Sequence, residues 1–224
     1  MMTKKEKMRF RSVWWAWAVA GLVLLGSGCA TSRGILDVRV NLPQDPSSGK
    51  VVSIVRVTDH RQFEEAPRDA SIPSLKGKEI GDPSITSRAI GRKRNAYGKA
   101  LGDILLPEGR TVEDLVREAL TRSFREAGYR VIDNPASSKE KATPVEADIE
   151  QFWSWLTPGF WSLSLQFEAK VRIKGNVGPF KKGQTVSGHV ELHSQAASTG
   201  AWLNTVNKGI DAFVQEVNKQ LATH

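Results

Sequence analysis

Asp59-His60-Arg61 gathers a carboxylate, an imidazole and a guanidinium where a strand pattern ends, the kind of place a catalytic group occupies. His189 and His193 are four apart. In a strand that spacing shares a face but separates the rings by about 13 Å, too far to chelate one ion. No Gly-x-Ser-x-Gly, His-Glu-x-x-His or phosphate-binding glycine loop occurs in the 224 residues. Asp59 and Arg61 are therefore expected to pair with each other or to cap the following turn. Neither an enzyme nor a bound cofactor or metal is expected. Two other groups carry binding chemistry. Phe152, Trp153, Trp155, Phe160 and Trp161 surround the Pro158-Gly159 turn, where indole rings could dock on a partner or enter a membrane interface, or else fill the end of a hairpin core. Arg88, Arg92, Lys93, Arg94 and Lys99 form a basic run that could meet lipid phosphates or an acidic protein surface, or remain a solvated loop.

Cys29 is the only thiol. Its setting says what it is for. Lys4, Lys5, Lys7, Arg9 and Arg11 precede Val13–Leu25, an apolar run of 13 residues, and Gly26-Ser27-Gly28 supplies small residues before the cysteine. The run has the length of a signal-peptide core and falls short of the ~20 residues that span a bilayer. The segment resembles the lipobox of bacterial lipoproteins, with Gly26 where leucine is usual. That resemblance implies that residues 1–28 are removed and Cys29 is acylated. Ala30, rather than an aspartate, follows the lipidated residue, which in the lipoprotein pattern implies the outer membrane, facing the periplasm.

Removal of 1–28 takes five positive charges and one negative, Glu6, so the formal charge falls from +8 to +4. Half of the basicity belongs to the signal. A nucleic-acid partner is not expected of the remaining chain. About 195 residues remain, enough for one domain with a core that holds without disulfides.

Residues 29–49 are small and polar and are expected to form a lipidated tether with one edge strand at Ile35–Val40. Residues 50–224 are expected to form a single domain. Lys50–Val57 is β-branched and apolar on both faces, as in a strand at a sheet centre. Residues 59–107 are dominated by charge and turn residues and are expected to be mostly a long loop, with a short hairpin within it. Thr111 caps a helix whose Val112, Leu115, Val116, Ala119, Leu120 and Phe124 share a face, and Gly128 ends it. Tyr129–Ile132 is a strand. Residues 134–144 are expected to link it to a strand at Val145–Trp155, a long antiparallel strand at Trp161–Ile173 and a third at Gln184–His193. Thr199–Leu221 closes the chain as a helix, which Gly209 weakens slightly. The order predicts an α+β two-layer sandwich, mainly antiparallel, with two amphipathic helices on one face.

The lipobox-like cysteine, Leu42-Pro43-Gln44-Asp45-Pro46, the strand Val51–Val57 closing on Asp59-His60-Arg61, the helix Val112–Gly128 leading into Tyr129-Arg130-Val131, and the final helix together resemble the YajG family of uncharacterised bacterial lipoproteins. The resemblance implies an envelope lipoprotein with no catalytic residues. Two roles remain open on this basis. One is a non-catalytic accessory or binding subunit, anchored in the membrane through Cys29 and docking on an envelope protein through Trp153, Trp155, Phe160 or the basic run. The other is a lipid- or glycolipid-binding module.

Overall fold

The computed structural model describes residues 33–95, 97–133, 140–159 and 162–223. Residues 1–28, Cys29, Phe160 and Trp161, for which the sequence sets expectations, lie outside them. Among the described residues, eight strands form one sheet: β1 Gly34–Ile35, β2 Val51–Asp59, β3 Ala89–Arg94, β4 Ala100–Leu105, β5 Arg130–Val131, β6 Thr143–Pro158, β7 Leu163–Gly175 and β8 Gln184–Ser194. Helix α1 is the short turn Pro83–Thr86; α2 is Val112–Glu126 and α3 is Thr199–Ala222.

The 16-residue β6 is the spine. Along one edge it pairs antiparallel with β7, and β7 pairs antiparallel with β8. Its other edge is shared: residues 143–149 pair parallel with β2, and Ser154 pairs parallel with Gly91 of β3. The sheet therefore forks, with β2 and β5 on one branch and β3, β4 and β1 on the other. The fold is α+β, but the sheet is mixed rather than mainly antiparallel. Four pairings, β1–β4, β2–β5, β2–β6 and β3–β6, are parallel. The β2–β5 pair is parallel because the return from β2 to β5 runs through α2, a crossover that forces parallel strands. β2 lies inside the sheet, one place from the centre that β6 holds.

Helices α2 and α3 pack on one face and close the main core, where Leu115, Leu120 and Phe124 meet Ile54, Ile149, Phe167, Phe213 and Val217. The α2 cap is reciprocal: Thr111 Oγ1 accepts from Asp114 N, and Asp114 Oδ2 accepts from Thr111 N at 2.9 Å. At the other end Tyr129 N donates to Phe124 O and Gly128 N to Arg125 O, a Schellman pair that needs the positive φ of Gly128. Gly209 is more than a weak point in α3. A Cβ there would overlap the Phe167 ring, so the missing side chain is what lets α3 lie against β7.

Two regions differ from expectation. The segment after Arg33 does not behave as a free tether. Gly34 and Ile35 pair with β4, Leu36 and Val38 are buried, and Arg125 holds Pro43 O and the Asp45 carboxylate. Alternation at Leu36 and Val38 favoured burial, and the Pro-Asp-Pro composition that suggested a tether only excludes regular structure. Residues 59–107 are likewise ordered. They supply α1 and the expected hairpin, as β3 and β4, and residues 60–88, expected as loop, cover the sheet face opposite the helices.

Candidate functional site

A bulge decides which side of the sheet the tryptophans take. Ile149 pairs with Val171 and Gln151 with Lys170, leaving Glu150 as an extra residue. Val145, Ala147 and Ile149 face the helices before it, and Phe152 and Leu156 after it. Unbroken alternation would have carried Trp153 and Trp155 onto that same face. Instead they turn outward, where Leu75, Ala89 and Leu105 pack on them with Phe63, Ala70, Ile80 and Ile85 alongside. Trp153 is fully buried, its indole N–H donating to Ala70 O at 3.2 Å and its ring meeting Phe63 edge-on at 6.0 Å. Trp153 is therefore not an exposed contact residue, and Trp155 shows only an edge. The covering segment hides both.

Arg61 holds that cover in place, and all five of its N–H donors are used. Nε and one terminal nitrogen grip the Asp59 carboxylate at 2.8 and 2.6 Å, while the others donate to Ala89 O, Phe152 O and Thr86 O. Its side chain is wholly buried and lies over the Phe63 ring. The expected Asp59–Arg61 pair is present. His60 stands apart, with Nε2 3.4 Å from Asp148. His189 and His193 are exposed on β8, and among the described residues no cluster of His, Cys, Asp and Glu could hold a metal.

The basic run divides into separate roles. Arg88 Nε donates to Leu106 O, joining α1 to the end of β4. Arg92 is buried against Asp103 at 3.3 Å, an ion pair without hydrogen-bond alignment. Lys93 lies beside Gly34. These three are not a solvated patch. Arg94 differs, because its partners are all neutral: Pro67 O, Gly98 O and Ser74 Oγ at 2.8 Å. Burial, and behind it repulsion from Arg92, lowers its pKa below the usual arginine value. A guanidinium remains charged under these conditions, so among the described residues its positive charge is left without a carboxylate.

Arg94 opens onto a cleft of about 640 Å³, bounded by Arg68, Asp69, Tyr97, Trp155 and Leu156. The β3–β4 turn builds one wall. Asn95 Oδ1 accepts from Tyr97 N and Lys99 N, and Gly98 takes a positive φ, leaving the Tyr97 ring 95% exposed. Asp69 accepts from the Ser71 backbone N–H and hydroxyl, which holds its pKa below the usual carboxylate value. The cleft thus sets two guanidinium groups and one carboxylate beside two aromatic rings. This arrangement can bind an anionic group that carries an apolar part. Of the residues expected to make contacts, it unites Arg94 with Trp155 and leaves out Trp153, Arg88, Arg92 and Lys93. Tyr97 and Arg68 were not singled out by the sequence, although Asn95-Ala96-Tyr97-Gly98 carries a turn signal that presents whatever side chain it holds.

No protein-family model matches the chain, and no curated protein matches it. Among solved structures, an uncharacterised protein is similar at 11% identity and a TM-score of 0.45, over 86% of this chain and 98% of that one. Protein XCC0632 from Xanthomonas campestris, of family DUF330, is similar at 14% identity and 0.39, over 83% and 91%. Hypothetical protein CT253 from Chlamydia trachomatis is similar at 12% and 0.26, over 79% and 95%. At these scores the likeness assigns no activity and no residue role.

Proposed function

We propose that this chain is a non-catalytic bacterial envelope lipoprotein of YajG-like character, anchored to the outer membrane through Cys29 and facing the periplasm, that binds an envelope component at the Arg68–Arg94–Tyr97 cleft. The observation that carries the binding reading is the Arg94 charge, held in an open aromatic cleft by neutral acceptors only. A half-buried cation with no carboxylate bound to it favours an anion from outside. The helical face of the sheet is filled by side chains of α2 and α3, which supports binding at the surface rather than burial of long acyl chains. The lipid- or glycolipid-binding role is favoured by the same cleft, since a head group offers a phosphate beside an apolar part.

Envelope crosslinking followed by mass spectrometry tests both parts. Wild-type protein should incorporate labelled palmitate, fractionate with the outer membrane and yield a discrete crosslinked component. Cys29→Ser should lose the label and the membrane fraction. Arg94→Gln should keep both and lose the crosslink. Retention of the crosslink in Arg94→Gln would remove the cleft from the proposal.

A further inference from the structure

The chain between Cys29 and the folded body is short. Arg33 is already fixed: its guanidinium bridges Glu79 at 2.7 Å and Asp103 at 3.1 Å, and Gly34 pairs with Ile104 of β4. Four residue steps separate Cys29 from Arg33, and even fully extended they reach no more than about 14 Å. An acyl chain on Cys29 would therefore hold the lipid surface within that distance of Arg33.

The strand directions say which end of the body this is. β1 runs parallel to β4, so Arg33 lies on the side of Asp103, toward the β3–β4 turn. Ala100, paired with Arg94, lies three residues beyond Asp103, about 10 Å nearer the tip. Gly91 pairs with Ser154, so the end of β6 points the same way, and Thr157 lines the cleft with Arg94. The opposite end of the sheet, where Val145 pairs with Gly175 and the turn Gly178–Lys182 follows, stands about 40 Å away along β7.

The chemistry of the near end suits a lipid surface. Lys93–Ala100 contains Lys93, Arg94 and Lys99 and no acidic residue. Tyr97 projects from it as the most exposed of the large hydrophobic side chains among the described residues. A tyrosine flanked by cations is the pairing that settles at the head-group level of a bilayer, ring inward and hydroxyl toward water, with cations on the phosphates.

We infer that the β3–β4 tip rests on the anionic phospholipid surface that anchors Cys29, with Tyr97 at head-group depth and Arg94 and Lys99 on lipid phosphates. The inference rests on acylation of Cys29. It makes the cleft beside the tip a site that opens at the membrane surface rather than into the periplasm.

Acylation leaves no free thiol, so Tyr97→Cys supplies the only reactive one. Full-length lipidated protein carrying Tyr97→Cys, or Lys181→Cys at the far end, is labelled with a small fluorophore. It is then placed in vesicles of phosphatidylethanolamine and phosphatidylglycerol that contain spin-labelled lipid. Both positions are exposed, so neither substitution loads the core. Quenching at position 97 should exceed that at 181 by threefold or more, and replacing phosphatidylglycerol with phosphatidylcholine should reduce the difference. Equal quenching at the two positions, with acylated Cys29 confirmed by mass in the same sample, overturns the membrane contact alone. A mature protein with an unmodified Cys29 overturns the lipoprotein reading and this inference together.

Discussion

The two faces of β6 are covered in opposite ways. On one, α2 and α3 satisfy their own backbones and pack mainly apolar side chains, as where Phe124, Phe213 and Val217 meet Phe167, while at β2 Arg117 donates to Ile54 O and Glu113 accepts from Asp59 N. On the other, residues 60–88 have almost no regular structure, and their carbonyls must be met by side chains. Arg61 donates to Thr86 O while tying the segment to Ala89 O of β3 and Phe152 O of β6, and Trp153 donates to Ala70 O, Gln151 to Ser71 O and Arg94 to Pro67 O. A regular layer needs hydrophobic periodicity, whereas an irregular one needs long donors. Several of the arginines that make this region look like a basic surface are therefore its internal scaffold.

The largest effects should break this comparison at its centre. Arg61→Leu removes the guanidinium from the Asp59 carboxylate, which keeps only the residue-61 backbone N–H at 3.1 Å, and takes away the donors to three carbonyls, and should cost about 3–5 kcal/mol. Phe167→Ala should cost about as much, 3–5 kcal/mol, through the cavity it opens under α3. The two should differ in what loosens. Hydrogen exchange should rise first in residues 60–88 for Arg61→Leu, and across β7, β8 and α3 for Phe167→Ala. If Arg61→Leu loosened the helical face equally, the two layers would not be separable. Arg61→Lys should recover only part of the loss, because an ammonium cannot reproduce the planar five-donor fork.

A smaller effect sharpens the regular side. Gly209→Ala should improve helix propensity by about 1 kcal/mol yet lower stability by about 1–3 kcal/mol, because the new methyl collides with the Phe167 ring. A rise in melting temperature would show that α3 can shift away from β7 without loss. The smallest is Thr111→Ala, which removes the α2 cap and should cost about 1 kcal/mol, measured by urea unfolding with an unchanged slope.

The helical layer was largely legible in the sequence, because α2 and β7 repeat their apolar residues with one period throughout. α3 repeats Leu203, Val206, Ile210, Phe213, Val214, Val217 and Leu221 along one side, but it also buries Trp202, which lies outside that series. The other layer was hidden for the reason that sets it apart. Leu75, Ile80 and Ile85 recur every five residues, a spacing that fits neither a helix nor a strand, and Arg61 and Arg94 signal their role through carbonyls that only the folded chain brings near. β3 was obscured by its own composition: Gly-Arg-Lys-Arg looks like solvated loop, although Arg92 is paired inside. The faces of β6 could not be followed past Ile149, since a period of two assigns Trp153 and Trp155 to the wrong side once Glu150 is an extra residue. Asp59 with Arg61 was legible because the two are close in sequence.

Glu150 also separates the length of a strand from its content. Its side chain is exposed and its place in the ladder is surplus, so a chain lacking it would keep Phe152 and Leu156 inward and Trp153 and Trp155 outward, still opposite their partners on β7. What would disappear is the local bend and added twist that an extra residue gives a strand. The position therefore encodes curvature and not burial, and in related chains a gap there would change how the two branches of the sheet are angled while leaving every core residue in place.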